Sequence, residues 1–425
     1  MLLTRFWNNC RGGVAPMVGM ALIPLLGAVG AAVDYSKANA TRVAFQTALD
    51  STALMLSKTA ATDSSSDLQT AATNTFNALF TRPDVKNVTV TANYSSTNGS
   101  QIVLNGSATI NTNFLGVLGI DEINISASTT SVWGNTRLLV ALVLDNTGSM
   151  ASANKMTALK TASQNLLTQL KNAATTPDDV YVSIIPFNKD VNANTSNVNA
   201  SWLRWDLWEA ANGTCSSWSY TTQNSCTAHG KTWTPANHNT WNGCVTDRDQ
   251  NFDTTNDAPI AGSTLYPTEQ YSSCPVSLMG LSNDWTTLSN KITAMQPVGN
   301  TNQAIGLQMG WQSLTAAPFT VPAMDPNYKY SQIIILLTDG LNTQDRWYST
   351  ASSIDARQQK TCDNIKAAGI TIYTVQVNTG GDPTSTLLQN CASDSSKFFL
   401  LTSSVQIVST FSQIGTALTN LRLAM

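Results

Sequence analysis

Residues 138–150, LLVALVLDNTGSM, decide how this chain folds. Seven apolar residues run without interruption up to Asp145, and a strand that is apolar at every position is typical of a parallel sheet buried on both faces. The run then stops on an aspartate, and two hydroxyl residues and a glycine follow within four positions. The stretch therefore predicts a buried strand whose carboxyl end carries a cluster of polar oxygens.

Apolar runs and helical patterns alternate along the rest of the chain. After residue 150 the runs DVYVSIIPFN, SQIIILLTDG, ITIYTVQVN and KFFLLTSS are separated by segments with apolar residues at helical spacing, such as KMTALKTASQNLLTQL and NQAIGLQMGWQSL. This order predicts an α/β fold over residues 136–425, with a mostly parallel, doubly wound sheet covered by helices on both faces. Ligand sites in such sheets lie beyond the carboxyl ends of the strands.

Three segments would bring oxygen ligands to that edge of the sheet. They supply Asp145, Thr147 and Ser149 from DNTGS, Thr301 from GNTN, and Asp339 from LLTDG. Carboxylate and hydroxyl oxygens on tight turns suit Mg²⁺, which takes oxygen ligands in near-octahedral geometry and usually keeps some of its waters. We therefore expect a site for Mg²⁺, or Mn²⁺, in which an acidic group of a partner fills an open position.

The amino-terminal region predicts a membrane anchor. Residues 12–33 carry no charge, and residues 14–33 are long enough to cross a hydrocarbon core of about 30 Å. Arg5 and Arg11 precede this segment, so the positive-inside rule places residues 1–13 in the cytoplasm and exports everything after Asp34. A cleavable signal peptide is the alternative, although its apolar core would exceed the usual length of about 7–15 residues.

Residues 34–133 predict a small α+β region. Apolar residues continue at helical spacing beyond Asp34, and the segments VKNVTVTANYSS, SQIVLNGSATI and INISASTTSVW alternate apolar and polar positions between turns. A long helix packed on a small antiparallel sheet is the general plan of pilin-like proteins, and a membrane-proximal spacer is the alternative interpretation.

Composition excludes several classes of function. The chain has 23 Lys and Arg against 26 Asp and Glu, so no basic field exists for nucleic acid. It has only two histidines, His229 and His238, and no set of side chains for nucleophilic catalysis can be assembled from them. We therefore predict a protein that is not an enzyme.

Residues 189–284 are rich in Cys and Trp, and they are predicted to be an insertion between Asp145 and Thr301, which lie 156 positions apart (301 − 145). Zinc on Cys226, His229, His238 and Cys244 is one alternative, but the spacing fits no standard pattern. The tryptophans favour either the core of a small subdomain or, alternatively, stacking on glycan. A calcium site at DRDQNFD is a further alternative, but this segment lacks the glycine and the terminal glutamate of a helix-loop-helix calcium loop.

Six cysteines follow the anchor, which favours disulfides in an oxidising compartment. Cys362 and Cys391 flank the run ITIYTVQV and are predicted to pair. The four insertion cysteines allow three pairings that the sequence does not separate. These candidates are Cys215, Cys226, Cys244 and Cys274.

The three oxygen-bearing segments resemble the metal-ion-dependent adhesion site of the von Willebrand factor type A domain. That site uses an Asp-x-Ser-x-Ser loop, a Thr on a second loop and an Asp on a third. The resemblance implies that Thr147, Ser149 and Thr301 contact the ion through hydroxyls, while Asp145 and Asp339 act largely through water. Thr147 stands where the family more often has Ser, and it keeps the hydroxyl.

The amino-terminal stretch RGGVAPMVGMALIPLLGAVGAAVDYSKANATRVAFQTALDSTAL is similar to the start of TadE/TadG-like proteins of Flp/Tad pilus assembly. The resemblance implies a single-pass protein of a bacterial inner membrane with a periplasmic bulk. Pseudopilins of that system carry a Glu shortly after a processing glycine, and VAPMVGM after Gly13 has none. We therefore expect an anchor that is retained in the membrane.

Together these features predict a membrane-anchored protein that assists Flp/Tad pilus assembly or anchoring. It would bind an acidic group on a pilus-assembly or envelope protein through its divalent metal. The alternative is a cell-envelope adhesin that binds glycan through the Trp-rich insertion.

Overall fold

A computed structural model describes residues 14–60, 63–95, 100–133, 136–325 and 328–423. The predicted cytoplasmic segment 1–13 lies outside these residues. The chain divides into two compact units, with the boundary between residues 135 and 136.

The first unit is a long helix with a small antiparallel sheet. Helix α1 runs from Val14 to Leu56 and α2 from Ser65 to Leu79. The three strands pair in the order β1-β2-β3 and are antiparallel. Their bounds are β1 Val85–Ser95, β2 Ser100–Asn111 and β3 Glu122–Trp133. The prediction of a long helix followed by a small α+β region is confirmed.

The core of this unit lies where α1 crosses the sheet. Phe45 packs edge-on against Phe76 and Phe80, and all three rings are buried. A Cβ at Gly106 on β2 would lie 2.6 Å from the Phe45 ring, so the absence of a side chain there lets the helix approach the strand. The amino-terminal half of α1 is different, because most of its apolar side chains are exposed.

This exposed half of α1 is the candidate membrane span. Among the described residues, one helix is long and apolar enough to cross a membrane, and it covers residues 17–56. Only 11% of its most apolar window is buried, whereas the core helix of a soluble protein would be mostly covered. The apolar helix and its exposure indicate a membrane anchor at this end of the chain.

The second unit begins directly with β4. Its longer helices are α3 Lys155–Ala173, α6 Trp285–Ala294, α7 Gln303–Thr315, α8 Ala351–Ala367 and α10 Val405–Leu423, and its short ones are α4 Asp206–Ala211, α5 Gln223–Ala228 and α9 Thr386–Cys391. Its longer strands are β4 Thr136–Asp145, β5 Val180–Phe187, β13 Lys329–Thr338, β14 Thr371–Val377 and β15 Phe398–Leu401. Its short strands are β6 Val191–Asn192, β7 Leu203–Arg204, β8 Gly213–Cys215, β9 Trp233–Pro235, β10 Cys244–Val245, β11 Tyr266–Pro267 and β12 Met279–Ser282.

Eight of these strands form the main sheet. The order is β10-β6-β5-β4-β13-β14-β15, and β12 pairs with β5 beside β6. The five longer strands are parallel to one another. Strands β6 and β12 are antiparallel to β5, and β10 is antiparallel to β6. A mostly parallel sheet with helices on both faces confirms the predicted fold class.

Strand β4 shows why both faces are covered. Leu138, Val140, Leu142 and Leu144 pack into one core with α3, α6 and α10, and the residues between them pack into a second core with α7, α8 and α9. Helix α7 packs tightly on the sheet, since a Cβ at Gly310 would lie 2.5 Å from the Val143 side chain. The strand is buried along its length, as the opening stretch predicts.

The Cys- and Trp-rich segment is attached to this sheet at several points. Strands β6, β10 and β12 lie within the range 189–284 yet extend the main sheet. Disulfides join Cys215 to Cys226, Cys244 to Cys274, and Cys362 to Cys391. The prediction of disulfides is confirmed, and the pairing of Cys226 and Cys244 with other cysteines removes the zinc alternative.

Candidate metal centre

The ends of two neighbouring parallel strands place the first two side chains of the site. Asp145 is the last residue of β4, and Thr338 is the last residue of the neighbouring strand β13. Their preceding residues, Leu144 and Leu337, lie opposite each other in the sheet. The Thr338 hydroxyl donates to Asp145 Oδ2 at 2.7 Å, and the Thr147 backbone N–H donates to Asp145 Oδ1 at 2.8 Å. Asp145 has no exposed surface, so both of its oxygens are held by the protein.

Three further oxygens form a continuous chain beside Asp145. Thr147 Oγ1 lies 2.9 Å from Ser149 Oγ, and the Ser149 hydroxyl donates to Asp339 Oδ1 at 2.6 Å. Thr147 is buried and Ser149 is exposed. The structure thus brings the side chains of the first and third predicted segments into direct contact.

The second segment, which contains Thr301, is tied to both of the others. The Gly148 N–H donates to Gly299 O at 3.0 Å, and the Thr343 N–H donates to Thr301 O at 2.8 Å. The Thr301 N–H in turn donates to Thr343 Oγ1 at 2.8 Å. The Gln303 side-chain amide also donates to Gly340 O of the third segment at 2.9 Å. Hydrogen bonds therefore hold the three predicted segments together at one edge of the sheet.

Lys155 is a member of this group that the sequence did not predict. It is nearly buried at the start of α3, and its ammonium forms a short salt bridge with Asp339 Oδ2. Lys155 stands ten positions after Asp145, on a helix whose amphipathic pattern gave no sign of a buried charge. Only the tertiary fold places this cation against the third segment.

The electrostatics of the site favour an added cation. Burial, and next the charge of Asp339, raise the pKa of Asp145 to about 6, so that it is still largely ionised at pH 7. Asp145 and Asp339 then carry two negative charges against the single positive charge of Lys155. A formal charge of −1 remains in a nearly closed environment, where an uncompensated charge is costly.

The donor set fits a hard divalent cation. The hydroxyls of Thr147 and Ser149 form hydrogen bonds with their neighbours, whereas among the described residues Thr301 is paired only through its backbone. Each of the three hydroxyls has lone pairs that would face a metal ion. No group of three or more His, Cys, Asp or Glu side chains that could hold a metal occurs in the described parts of the chain. The candidate site combines two carboxylates with three hydroxyls instead, which is the chemistry that Mg²⁺ and Mn²⁺ accept.

A second group of acidic side chains lies close to the site, within the insertion. Asn302, next to Thr301, donates to Asp247 Oδ2 at 2.9 Å. Burial, and next the charges of Asp345 and Asp253, raise the pKa of Asp247 to about 7. The pKa of the neighbouring Asp190 is also well above its usual value, mainly because of burial. This group adjoins the metal loops through Asn302.

Comparison with known families now identifies the domain. Residues 267–413 match the family model of the von Willebrand factor type A domain. The chain carries a von Willebrand factor type A domain. Residues 12–63 match the Tad family model, described as Flp pilus-assembly TadE/G-like, so a TadE/G-like segment coincides with the anchor helix. The type A match begins after the loop of Asp145, and the parallel pairing of β4 with β13 places that loop in the same sheet.

The solved structures that match the chain include two pilus proteins. The pilus adhesin SpaC from Lactobacillus rhamnosus GG is 14% identical, with a TM-score of 0.39, and the match covers 81% of this chain but only 35% of SpaC. The vWF domain of the type V pili tip protein Mfa5 from Porphyromonas gingivalis is 11% identical, with a TM-score of 0.39 and coverage of 69% and 98%. No curated protein matches the chain.

Proposed function

We propose that this protein is a membrane-anchored component of Flp/Tad pilus assembly or anchoring, and that its type A domain binds a partner protein through a divalent metal ion. Thr147, Ser149, Thr301, Asp145 and Asp339 would hold Mg²⁺ or Mn²⁺. The bound ion would supply a positive centre with an open position for an acidic oxygen. The single observation that carries the proposal is the contact of Asp145, Ser149 and Asp339 at one edge of the sheet.

The charge of the site supports an acidic partner. With Asp145 and Asp339 ionised and Lys155 protonated, the site has a formal charge of −1, and a divalent ion would change it to +1. A carboxylate of a partner would neutralise this excess, whereas a basic group would be repelled. Without the charge of Lys155, the metal-loaded site would be neutral. Lys155 therefore strengthens the preference of the metal-loaded site for acidic ligands.

The two histidines support a non-catalytic role. His238 stacks on Trp205, and its Nε2 lies 2.9 Å from a Glu209 oxygen. His229 stacks on Tyr220 and contacts the Ser225 carbonyl. Both rings are engaged within the insertion, so neither is positioned as a free base beside the metal loops.

The tryptophans of the insertion support a structural role more than a glycan surface. Trp208 and Trp241 are buried in the second core, and Trp202 and Trp205 pack against it. Trp218 is the exposed ring of this segment, at 92%. A single exposed indole does not form the row of stacking rings that the alternative of glycan binding requires.

The location that accompanies this function is a bacterial inner membrane crossed once by residues 14–33. The TadE/G-like match and the exposed apolar helix support an anchor at this end. We propose further that residues 1–13 are cytoplasmic and that the bulk is periplasmic, since Arg5 and Arg11 precede the span and the three disulfides suit an oxidising compartment.

Metal-dependent capture from membranes tests the proposal. The full chain in nanodiscs is incubated with solubilised envelope proteins of a strain that makes the pilus, in Mg²⁺ or in EDTA. We expect a pilus-assembly component to be retained in Mg²⁺ and lost in EDTA. Thr301→Val, which removes one hydroxyl at constant volume, should reduce retention about tenfold or more, while Ser152→Ala on the exposed part of the first loop should not. Equal retention by the Thr301→Val variant would contradict the proposal.

A further inference from the structure

The first unit exposes an apolar loop between β2 and β3. Residues 112–120 read TNFLGVLGI and contain no charged side chain. Phe114 is 51% exposed, Val117 89% and Ile120 48%. Such a concentration of exposed apolar side chains on one short loop marks a surface that is covered by something else.

This loop packs against the apolar end of α1. A Cβ at Gly30 would lie 2.6 Å from Phe114 Cβ, so the Phe114 side chain rests directly on the helix backbone at that position. Gly30 belongs to the uncharged segment 14–33. At a rise of about 1.5 Å per residue, it lies roughly 6 Å inside the segment from Asp34.

Asp34 fixes the loop at this level. Its carboxylate accepts the backbone N–H of Asn113 at 2.9 Å and those of Phe114 and Leu115 at 2.8 Å. The Asp34 side chain is almost completely covered as a result. These three N–H groups lie at the start of a short 3-10 turn, Leu115–Leu118, and would otherwise need water as their partner. The loop is therefore held in a form that does not depend on water for these donors.

We propose that residues 113–120 form a second membrane contact, in which Phe114, Val117 and Ile120 enter the lipid interface beside the spanning helix. The inference rests on the membrane anchor. In the bilayer the loop would hold the folded unit close to the lipid surface instead of leaving it on a free helical stalk.

Continuity with the span identifies lipid as the occupant. The side chains of Val29 and Val33 on α1 are 56% and 47% exposed at the same level as the loop, and Tyr35 is 72% exposed just outside it. Tyrosine is enriched at membrane interfaces, where its ring lies among the headgroups. The exposed apolar surface thus runs from the helix onto the loop. A second copy of the chain or another protein on this surface is an outcome that the following experiment detects.

Spin-label accessibility in the full chain tests the proposal. Val117→Cys is labelled in a Cys10→Ser background and reconstituted in liposomes, and its collision rates with oxygen and with a water-soluble nickel chelate are compared. Ile23→Cys, within the span, and Val43→Cys, about 20 Å further along the same helix than Gly30, give the lipid and water references. Both side chains are exposed, as Val117 is.

We expect the Val117 label to collide with oxygen in preference to the chelate, as the Ile23 label does. Chelate accessibility equal to that of the Val43 label would overturn the proposal. Protection from both reagents would also overturn it, since it would show a protein occupant. If the Ile23 label itself is open to the chelate, the membrane span has failed, and that result is distinguishable from failure of the loop alone.

Discussion

Two neighbouring groups of carboxylates in the second unit are neutralised in different ways. At the metal centre, Asp145 and Asp339 are met mainly by the hydroxyls of Thr338 and Ser149, with Lys155 as the one cation in contact with them in the described structure. In the insertion, guanidinium groups hold two of the carboxylates, Asp253 and Asp249. Arg357 donates hydrogen bonds to Asp253 from two nitrogens, and the Asp249 carboxylate accepts hydrogen bonds from Arg204 and Arg346.

The difference lies in what each partner does when a cation arrives. A hydroxyl donates one proton but also has lone pairs, so it would rotate from donor to ligand. A guanidinium has only donors and a fixed charge, so it would exclude a metal ion from the carboxylate that it holds. We therefore expect a metal ion where acidic residues lie among hydroxyls, and not where guanidinium groups hold the acidic residues.

The largest effect on stability is expected from removing the cation that holds Asp253 of the insertion. Arg357→Met would leave Asp253, whose side chain is 4% exposed, without its charged partner, and should lower the free energy of unfolding by about 3–5 kcal/mol. Denaturation of the metal-free full chain in detergent, followed by tryptophan fluorescence, measures it. Lys360→Met, at an exposed position of the same helix, is the control. A loss no larger than that of the control would show that this ion pair is not needed to neutralise Asp253.

The pH dependence of the free energy of unfolding tests the protonation of Asp247 in the insertion. Because burial raises its folded pKa to about 7, against about 4 in the unfolded chain, the folded state holds a proton that the unfolded state has lost. Stability should therefore fall as pH rises from 4 to 7, by about 2–4 kcal/mol from this residue. Asp247→Asn should flatten the slope of unfolding free energy against pH over this window. An unchanged slope would show that Asp247 does not hold a proton in the folded state over this window.

Lys155 tests the charge balance of the metal centre directly. Lys155→Met removes a positive charge that would repel the incoming ion, and Mg²⁺ affinity should increase tenfold or more, about 1.4 kcal/mol. Titration calorimetry on the full chain measures it, with Lys160→Met on the same helix as the control. A decrease in affinity would mean instead that Lys155 holds Asp339 in the geometry that the ion requires.

Much of the fold was predictable, because the signals were local and repeated. The unbroken apolar runs predicted the long parallel strands, and the alternating segments predicted β1 to β3. The strands β6, β10 and β12 were not predicted, since two to four residues give no periodicity and they are held by pairing with β5 and with one another. Helix α6 was also missed. It begins at Trp285, directly after the predicted insertion 189–284.

The candidate site was predictable only in part, for a similar reason. Asp145, Thr147 and Ser149 lie on one short loop, so their spacing is visible in the sequence. Lys155 and Thr338 reach the same place through the packing of α3 and the register of β13 on β4. The contact of the 112–120 loop with Gly30 joins positions more than 80 residues apart, and nothing local in either segment signals it.

Titration calorimetry of Mg²⁺ and Mn²⁺ into the full chain is the direct test of the proposed divalent metal site. Asp145→Asn keeps the volume and the acceptor oxygen of the side chain but removes its charge, and Ser152→Ala controls for changes to the same loop. We expect one metal ion to bind to the natural sequence and to the Ser152→Ala variant. At the same concentrations, none should bind to the Asp145→Asn variant. Absence of binding to the natural sequence, or equal binding by Asp145→Asn, would contradict it.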